Sequence, residues 1–154
     1  MEPRFYFSHA NREAYHAMVG LEVFVNKSAL DARLLEIVKI RASQINGCAF
    51  CLDMHTEKAE QLGETSQRLH LVATWRDAPV FSEAERAALE LAEALTEISK
   101  QGVSRELYDR VRAHFDEKAL VALITAINTI NAWNRLVIAS GTQPQIRQDA
   151  AAQG

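Results

Sequence analysis

Apolar residues recur at three- and four-residue intervals along almost the whole chain. The spacing runs from about Ala10 to Val25, Leu30 to Ile45, Cys48 to Leu62, Gln67 to Trp75, Ser82 to Ser99, Ser104 to Phe115 and Glu117 to Ala139. Such intervals gather the apolar side chains on one stripe when a segment coils as an α-helix. Strand-type alternation persists nowhere. The pattern predicts an all-α fold, a single-domain bundle of about six to seven helices.

Punctuation agrees with this reading. Gly63, Gly102 and Gly141 each follow an apolar run, where a left-handed C-terminal cap is wanted. Ser82 with Glu85 makes an S-x-x-E capping box, and Ser104 and Asp116 are placed to cap the two helices after it. No low-complexity linker or composition break divides the chain. One helical domain is expected over residues 1–140, followed by a polar tail, 141–154, with little fixed structure unless a neighbouring subunit holds it. A faint internal echo aligns "LLEIVKIRASQIN" (Leu34 to Asn46) with "ALVALITAINTIN" (Ala119 to Asn131), setting Trp133 opposite Cys48 and Leu136 opposite Cys51. It suggests duplicated helix pairs with one copy keeping the chemistry; a chance likeness of two amphipathic helices is the plainer alternative.

Composition narrows the function. A chain of 154 residues buries roughly two-thirds of its unfolded surface, so neither a disulfide nor a metal is needed to hold it together. A formal charge of −3 gives no reason to expect nucleic acid or an anionic membrane as partner. The apolar run "ALVALITAI" (Ala119 to Ile127) is short of the ~20 residues of a spanning helix. The opening "MEPRFYFSHANRE" lacks a basic head followed by an apolar stretch, so a cytoplasmic location is expected. In that compartment a Cys-x-x-Cys pair reads as metal-binding or redox-active.

Both cysteines lie in "SQINGCAFCLDMH". Asn46-Gly47 is a strong turn dipeptide, which puts Cys48 in or near the first turn of the next helix. Unpaired N–H groups and the positive end of the helix dipole stabilise a thiolate there. Cys51, three residues on, shares the face of Cys48, with Cα atoms ~5 Å apart, inside the range a disulfide accepts. His55 sits one turn beyond Cys51 on the same stripe and is ~10.5 Å of rise from Cys48. The dipole thus favours Cys48 as the attacking sulfur, with more solvent around it, whereas the imidazole favours Cys51. A hydrogen-bonded base acts in the reaction itself, so Cys51 is preferred. Zinc is the rival reading, because Cys, His and Glu are all acceptable ligands, but residues two helical turns apart converge poorly on one ion.

Glu36 stands between Leu35 and Ile37 on an apolar helix. Desolvation would raise its pKa toward values useful in proton transfer. The plainer reading is a flank glutamate paired with Lys39 at i+3. His9, His16, His70 and His114 have no companion pattern and read as surface or interhelical residues. Trp75 and Trp133 read as core or subunit-interface anchors.

The spacing Glu36-x11-Cys48-x2-Cys51-x3-His55, with "RLHLVATWRDAPVFSEAERAALELAEALT" and "INAWNRL", resembles alkylhydroperoxidase D-like proteins of the carboxymuconolactone decarboxylase superfamily. The likeness covers most of the chain. It implies an all-helical homo-oligomer, a trimer or a hexamer, with Cys51 as the peroxide-reactive thiol and Cys48 as the resolving one. His55 and Glu36, with a bound water, would form the proton relay. The implied activity is a thiol peroxidase that needs no metal or organic cofactor. Its partners would be a hydroperoxide and an external dithiol reductant, a protein or a dihydrolipoyl group. A non-peroxidase disulfide oxidoreductase or a redox-sensing oligomer is the alternative. Phe50 stands where the best-known members carry a second histidine. Decarboxylase members lack the cysteine pair, which argues against that reaction here.

Overall fold

The computed structural model describes residues 2–147. Among these no strand occurs, and the all-α expectation holds. The helices are α1 (Phe7–Ala10), α2 (Arg12–Lys27), α3 (Ala32–Asn46), α4 (Ala49–Gln61), α5 (Ser66–Leu71), α6 (Glu83–Thr96), α7 (Arg105–Arg112) and α8 (Glu117–Ser140), with a 3-10 turn at Val72–Thr74 after α5. The extra helix relative to the sequence pattern is α1, a single turn too short to show a period.

Side-chain caps set most of the helix starts. Asp31, Thr65, Ser104 and Asp116 accept N–H bonds from the first turns of α3, α5, α7 and α8. Ser82 and Glu85 complete the predicted capping box at α6. Gly141 ends α8 at φ 74°, a left-handed conformation that side-chain-bearing residues rarely adopt.

Helix α3 is the axis of the molecule. Every residue from Leu34 to Ile40 is buried, so the helix is enclosed on all sides by α4, α6 and α8. Ile37, Val38 and Ile40 join Leu89 and Leu91 of α6 and Leu123 and Ile127 of α8 in one continuous core. The small residues Ala87, Ala88 and Ala92 line the buried face of α6 and let backbones approach closely. Helix α2 lies against α8 on the far side, with Val25 as its one fully enclosed side chain. At 24 residues α8 is long and apolar enough to match a bilayer. Here it is a core helix, and its Thr129, Asn131 and Asn134 are buried among protein groups.

The internal echo does not extend to paired helices. Where α3 stops at Gly47, the aligned position in α8 is Ala132, and α8 runs on unbroken through Trp133. Within the tail, Arg147 forks onto Asp53 (2.9 and 3.0 Å) and Glu57 (3.0 Å) of α4 in the same chain. Residues 148–154 of the tail lie outside the described residues.

Candidate active site

The turn between α3 and α4 builds the site. Gly47 adopts φ 69°, which ends α3 and frees the chain to leave at a sharp angle. Cys48 N–H then donates to Ser43 O (3.0 Å). Cys48 is itself the N-cap of α4, its sulfur accepting the Cys51 N–H at 3.4 Å. The two sulfurs are 2.6 Å apart and carried as free thiols.

Below the turn a buried amide network locks its geometry. Asn46 Nδ2 donates to Oδ1 of Asn131 (3.0 Å) and of Asn134 (2.9 Å), and Asn134 Nδ2 donates to Ser43 Oγ (3.1 Å). The loop is thereby tied to α8, and Asn134 lies against both thiols.

Sequence spacing misjudged the environments of the two sulfurs. Cys48 was expected to see more solvent, yet Cys48 and Cys51 are both buried, at 2 % and 1 % exposure. What separates them is access to a cavity of about 530 Å³ between α2, α4 and α8. Cys51 and His55 lie in its wall, and Cys48 stands behind Cys51. The remaining wall is largely apolar: Tyr15, Val19 and Val23 of α2, Phe50 and Met54 of α4, Trp133 and Val137 of α8. Polar groups enter at Glu22, Asn26 and Lys58.

The hydrogen bond from the Cys51 thiol holds Cys48 down, against the opposing effect of burial, and the Cys51 N–H and Asn134 assist; its pKa falls to about 7. Cys51 is pushed up, first by its bond to the Cys48 thiolate and then by burial. Of the two, Cys48 is the sulfur that gives up its proton first.

Glu36 also departs from expectation. Burial alone would raise its pKa, as the sequence suggested. The hydrogen bond and charge of His55, with the charges of Lys39 and Lys58, outweigh that effect and bring it to about 2. Glu36 Oε2 is 2.6 Å from His55 Nδ1. Its Oε1 is 3.1 Å from Lys58 Nζ and 3.5 Å from Lys39 Nζ, so the i+3 pairing with Lys39 exists beside the pairing with His55. Holding the Nδ1–H on Glu36 leaves Nε2 as the nitrogen for exchange. Among the described residues no three His, Cys, Asp or Glu side chains form a metal-holding cluster.

The other histidines, His9, His16, His70 and His114, are exposed. Trp75 is a core anchor as expected, its Nε1–H donating to Glu93 Oε1 at 2.9 Å. Trp133, partly buried, packs against the cluster of Ala42, Cys48, Cys51 and Ile130, lies edge-on to Phe7 and Tyr15, and also lines the cavity. Sequence reasoning also passed over Glu22, Lys58 and Asn134, though it named Lys39 as a partner of Glu36. Lys58 follows His55 at i+3, the same spacing that pairs Lys39 with Glu36, and that spacing could have flagged it. Glu22 comes from a remote helix and carries no such signal.

A buried dithiol at a helix start beside a His–Glu pair, inside an all-helical bundle, fits the alkylhydroperoxidase D-like class that the sequence resembles. The family model described as the carboxymuconolactone decarboxylase family matches residues 11–94, over half of the chain, and the chain belongs to that family. An uncharacterised protein of Bacillus subtilis, YdfG, is 45 % identical over 131 residues, 85 % of this chain and 89 % of the relative. A solved structure from Agrobacterium tumefaciens superposes with a TM-score of 0.91 at 37 % identity, covering 95 % of this chain and 100 % of that one. It is a protein of unknown function for which an AhpD antioxidant-defence role has been suggested. The debrominase Bmp8, solved with 2,3,4-tribromopyrrole, reaches a TM-score of 0.80 at 20 % identity over 88 % of this chain and 73 % of its own, a likeness of fold alone.

Proposed function

We propose that the protein is a thiol-dependent peroxidase that reduces organic hydroperoxides through a Cys48–Cys51 dithiol/disulfide cycle. The observation that carries this reading is that Cys51 and His55 share the wall of one apolar cavity, with the Cys48 sulfur 2.6 Å from Cys51.

In the cycle the Cys51 proton passes to the Cys48 thiolate, and the Cys51 thiolate attacks the terminal peroxide oxygen. The O–O bond breaks, Cys51 becomes a sulfenic acid, and the leaving alkoxide takes a proton through the His55/Glu36 relay to depart as an alcohol. Cys48 then attacks the Cys51 sulfur. The sulfenic oxygen leaves as water, accepting the Cys48 proton, and the disulfide forms. An external dithiol, a protein or a dihydrolipoyl group, restores the pair by exchange. The apolar walls favour an organic peroxide over hydrogen peroxide, because they bury carbon and offer few polar partners. A homo-oligomer in the cytoplasm is part of the same reading.

The test is peroxide consumption by the reduced protein. Cys51→Ser is expected to abolish it, and Cys48→Ser to leave a dimedone-reactive sulfenic acid on Cys51. A Cys51→Ser protein as fast as the parent refutes the assigned nucleophile. One observation favours a second reading, general disulfide exchange: a Cys48 thiolate formed near pH 7 at a helix start suits it. Rapid reduction of unrelated disulfides without peroxide consumption would select that alternative.

A further inference from the structure

Lys39 is the most deeply buried lysine of the fold, 1 % exposed on the central helix α3. A buried ammonium needs partners, and Lys39 has two carboxylates. Its Nζ is 2.7 Å from Glu22 Oε1, on the cavity side of α2, and 3.5 Å from Glu36 Oε1. Lys58 addresses the same Glu36 oxygen, but its side chain is 44 % exposed and its field is screened by solvent. Lys39 is thus the cation that water does not weaken.

We propose that Lys39 is a positioning residue of the relay: its ammonium keeps Glu36 charged, and Glu36 in turn keeps the Nδ1–H of His55 turned away from the cavity, leaving Nε2 to exchange protons beside Cys51. The inference rests on the relay role given above to Glu36 and His55.

The groups that face Glu36 are few. Lys39 faces it from its own helix, His55 and Lys58 from α4, and Glu22 of α2 acts on it only by way of Lys39. Glu93 of α6 is engaged by Arg41 and Arg76, and Arg135 of α8 turns to Asn131. Without Lys39, burial acts on Glu36 with less opposition, and the carboxylate takes up a proton at higher pH.

The test follows the Glu36 side-chain carboxyl carbon by 13C NMR as reduced protein is titrated from pH 8 toward its acid unfolding transition. In the parent the signal stays at its ionised position down to low pH. In Lys39→Met the midpoint is expected to rise by about 1–3 pH units, the effect of one adjacent cation on a carboxylate. Lys39→Arg, which keeps the charge, is expected to restore it. The acid limb of peroxide reduction should move by the same interval. A Lys39→Met protein in which Glu36 stays ionised as far down as in the parent overturns the proposal. Should Lys39→Met not fold, His55→Asn/Lys58→Gln leaves Lys39 as the cation facing Glu36. A midpoint kept below the ordinary 4.5 supports the proposal, and one at or above it overturns it. The carboxyl signal does not depend on any substrate. A protein that shows these shifts and consumes no hydroperoxide retains the Lys39 inference and loses the peroxidase reading.

Discussion

At the scale of single residues, the two sulfurs divide charge and access between them. Cys48 is the sulfur that ionises first, helped by the Cys51 thiol and N–H and by Asn134, while Cys51 lines the cavity. A thiolate with a pKa of about 7 makes a direct prediction. The ultraviolet thiolate absorbance of the reduced protein should rise through pH 7 and level off above about pH 8, a readout that needs no reagent to reach the buried sulfur. Asn134→Ala removes the smallest of the effects that hold Cys48 down, so the curve should move upward by less than about one unit. An unmoved curve in a variant that still folds would discount Asn134. Spacing alone put Cys48, Cys51 and His55 on one stripe, whereas Glu36 joined them by resemblance, and the structure sets its carboxylate 2.6 Å from His55 Nδ1. The direction of the Glu36 shift was not legible. It depends on Lys39 and Lys58 gathering around one carboxylate oxygen, and periodicity cannot say which of two stripes a lysine joins.

At the scale of elements, the turn between α3 and α4 decides whether the chemistry exists. The Asn46-Gly47 dipeptide was readable as a break, and the structure supplies the reason, a left-handed residue followed by a cysteine N-cap. An added Cβ at Gly47 meets nothing within 4 Å, so the cost of Gly47→Ala is backbone strain and not collision. That strain is about 1–2 kcal/mol, and a drop in Tm of roughly 2–8 °C is expected by calorimetry. The comparison with α8 shows what the glycine prevents: with Ala132 at the aligned position, the helix continues. Gly47→Ala should therefore also slow closure of the Cys48–Cys51 disulfide under a mild oxidant, by displacing the N-cap sulfur. Helix ends marked by Ser, Asp and Gly were legible because capping is local chemistry. Helix α1 was not, since one turn leaves no period to read.

At the scale of the whole molecule, the cavity was beyond sequence reasoning because its walls come from three helices far apart in the chain. Helix α2 has two jobs in it. Tyr15, Val19, Glu22 and Val23 face the cavity, whereas Ala17, Gly20, Leu21 and Phe24 form an outward stripe at helical spacing, all exposed. Phe24 is 50 % exposed and Leu21 44 %, and Met54 of α4 and Ile138 of α8 are exposed as well. Apolar side chains repeated along one helix face favour burial against another surface, and the expected homo-oligomer would supply that surface from a second copy. Charging the stripe tests this without touching the dithiol. In the proposed homo-oligomer, Phe24→Glu should leave a monomer, as read by light scattering at micromolar concentration. Its effect on Tm should shrink as protein concentration falls, because association stabilises only the folded, paired form. If α2 is held in place by that contact, the cavity should loosen with it, and the monomer should bind an apolar peroxide more weakly while the dithiol keeps its thiolate titration. A Phe24→Glu protein with unchanged mass in solution would assign the stripe to some other partner, or to water.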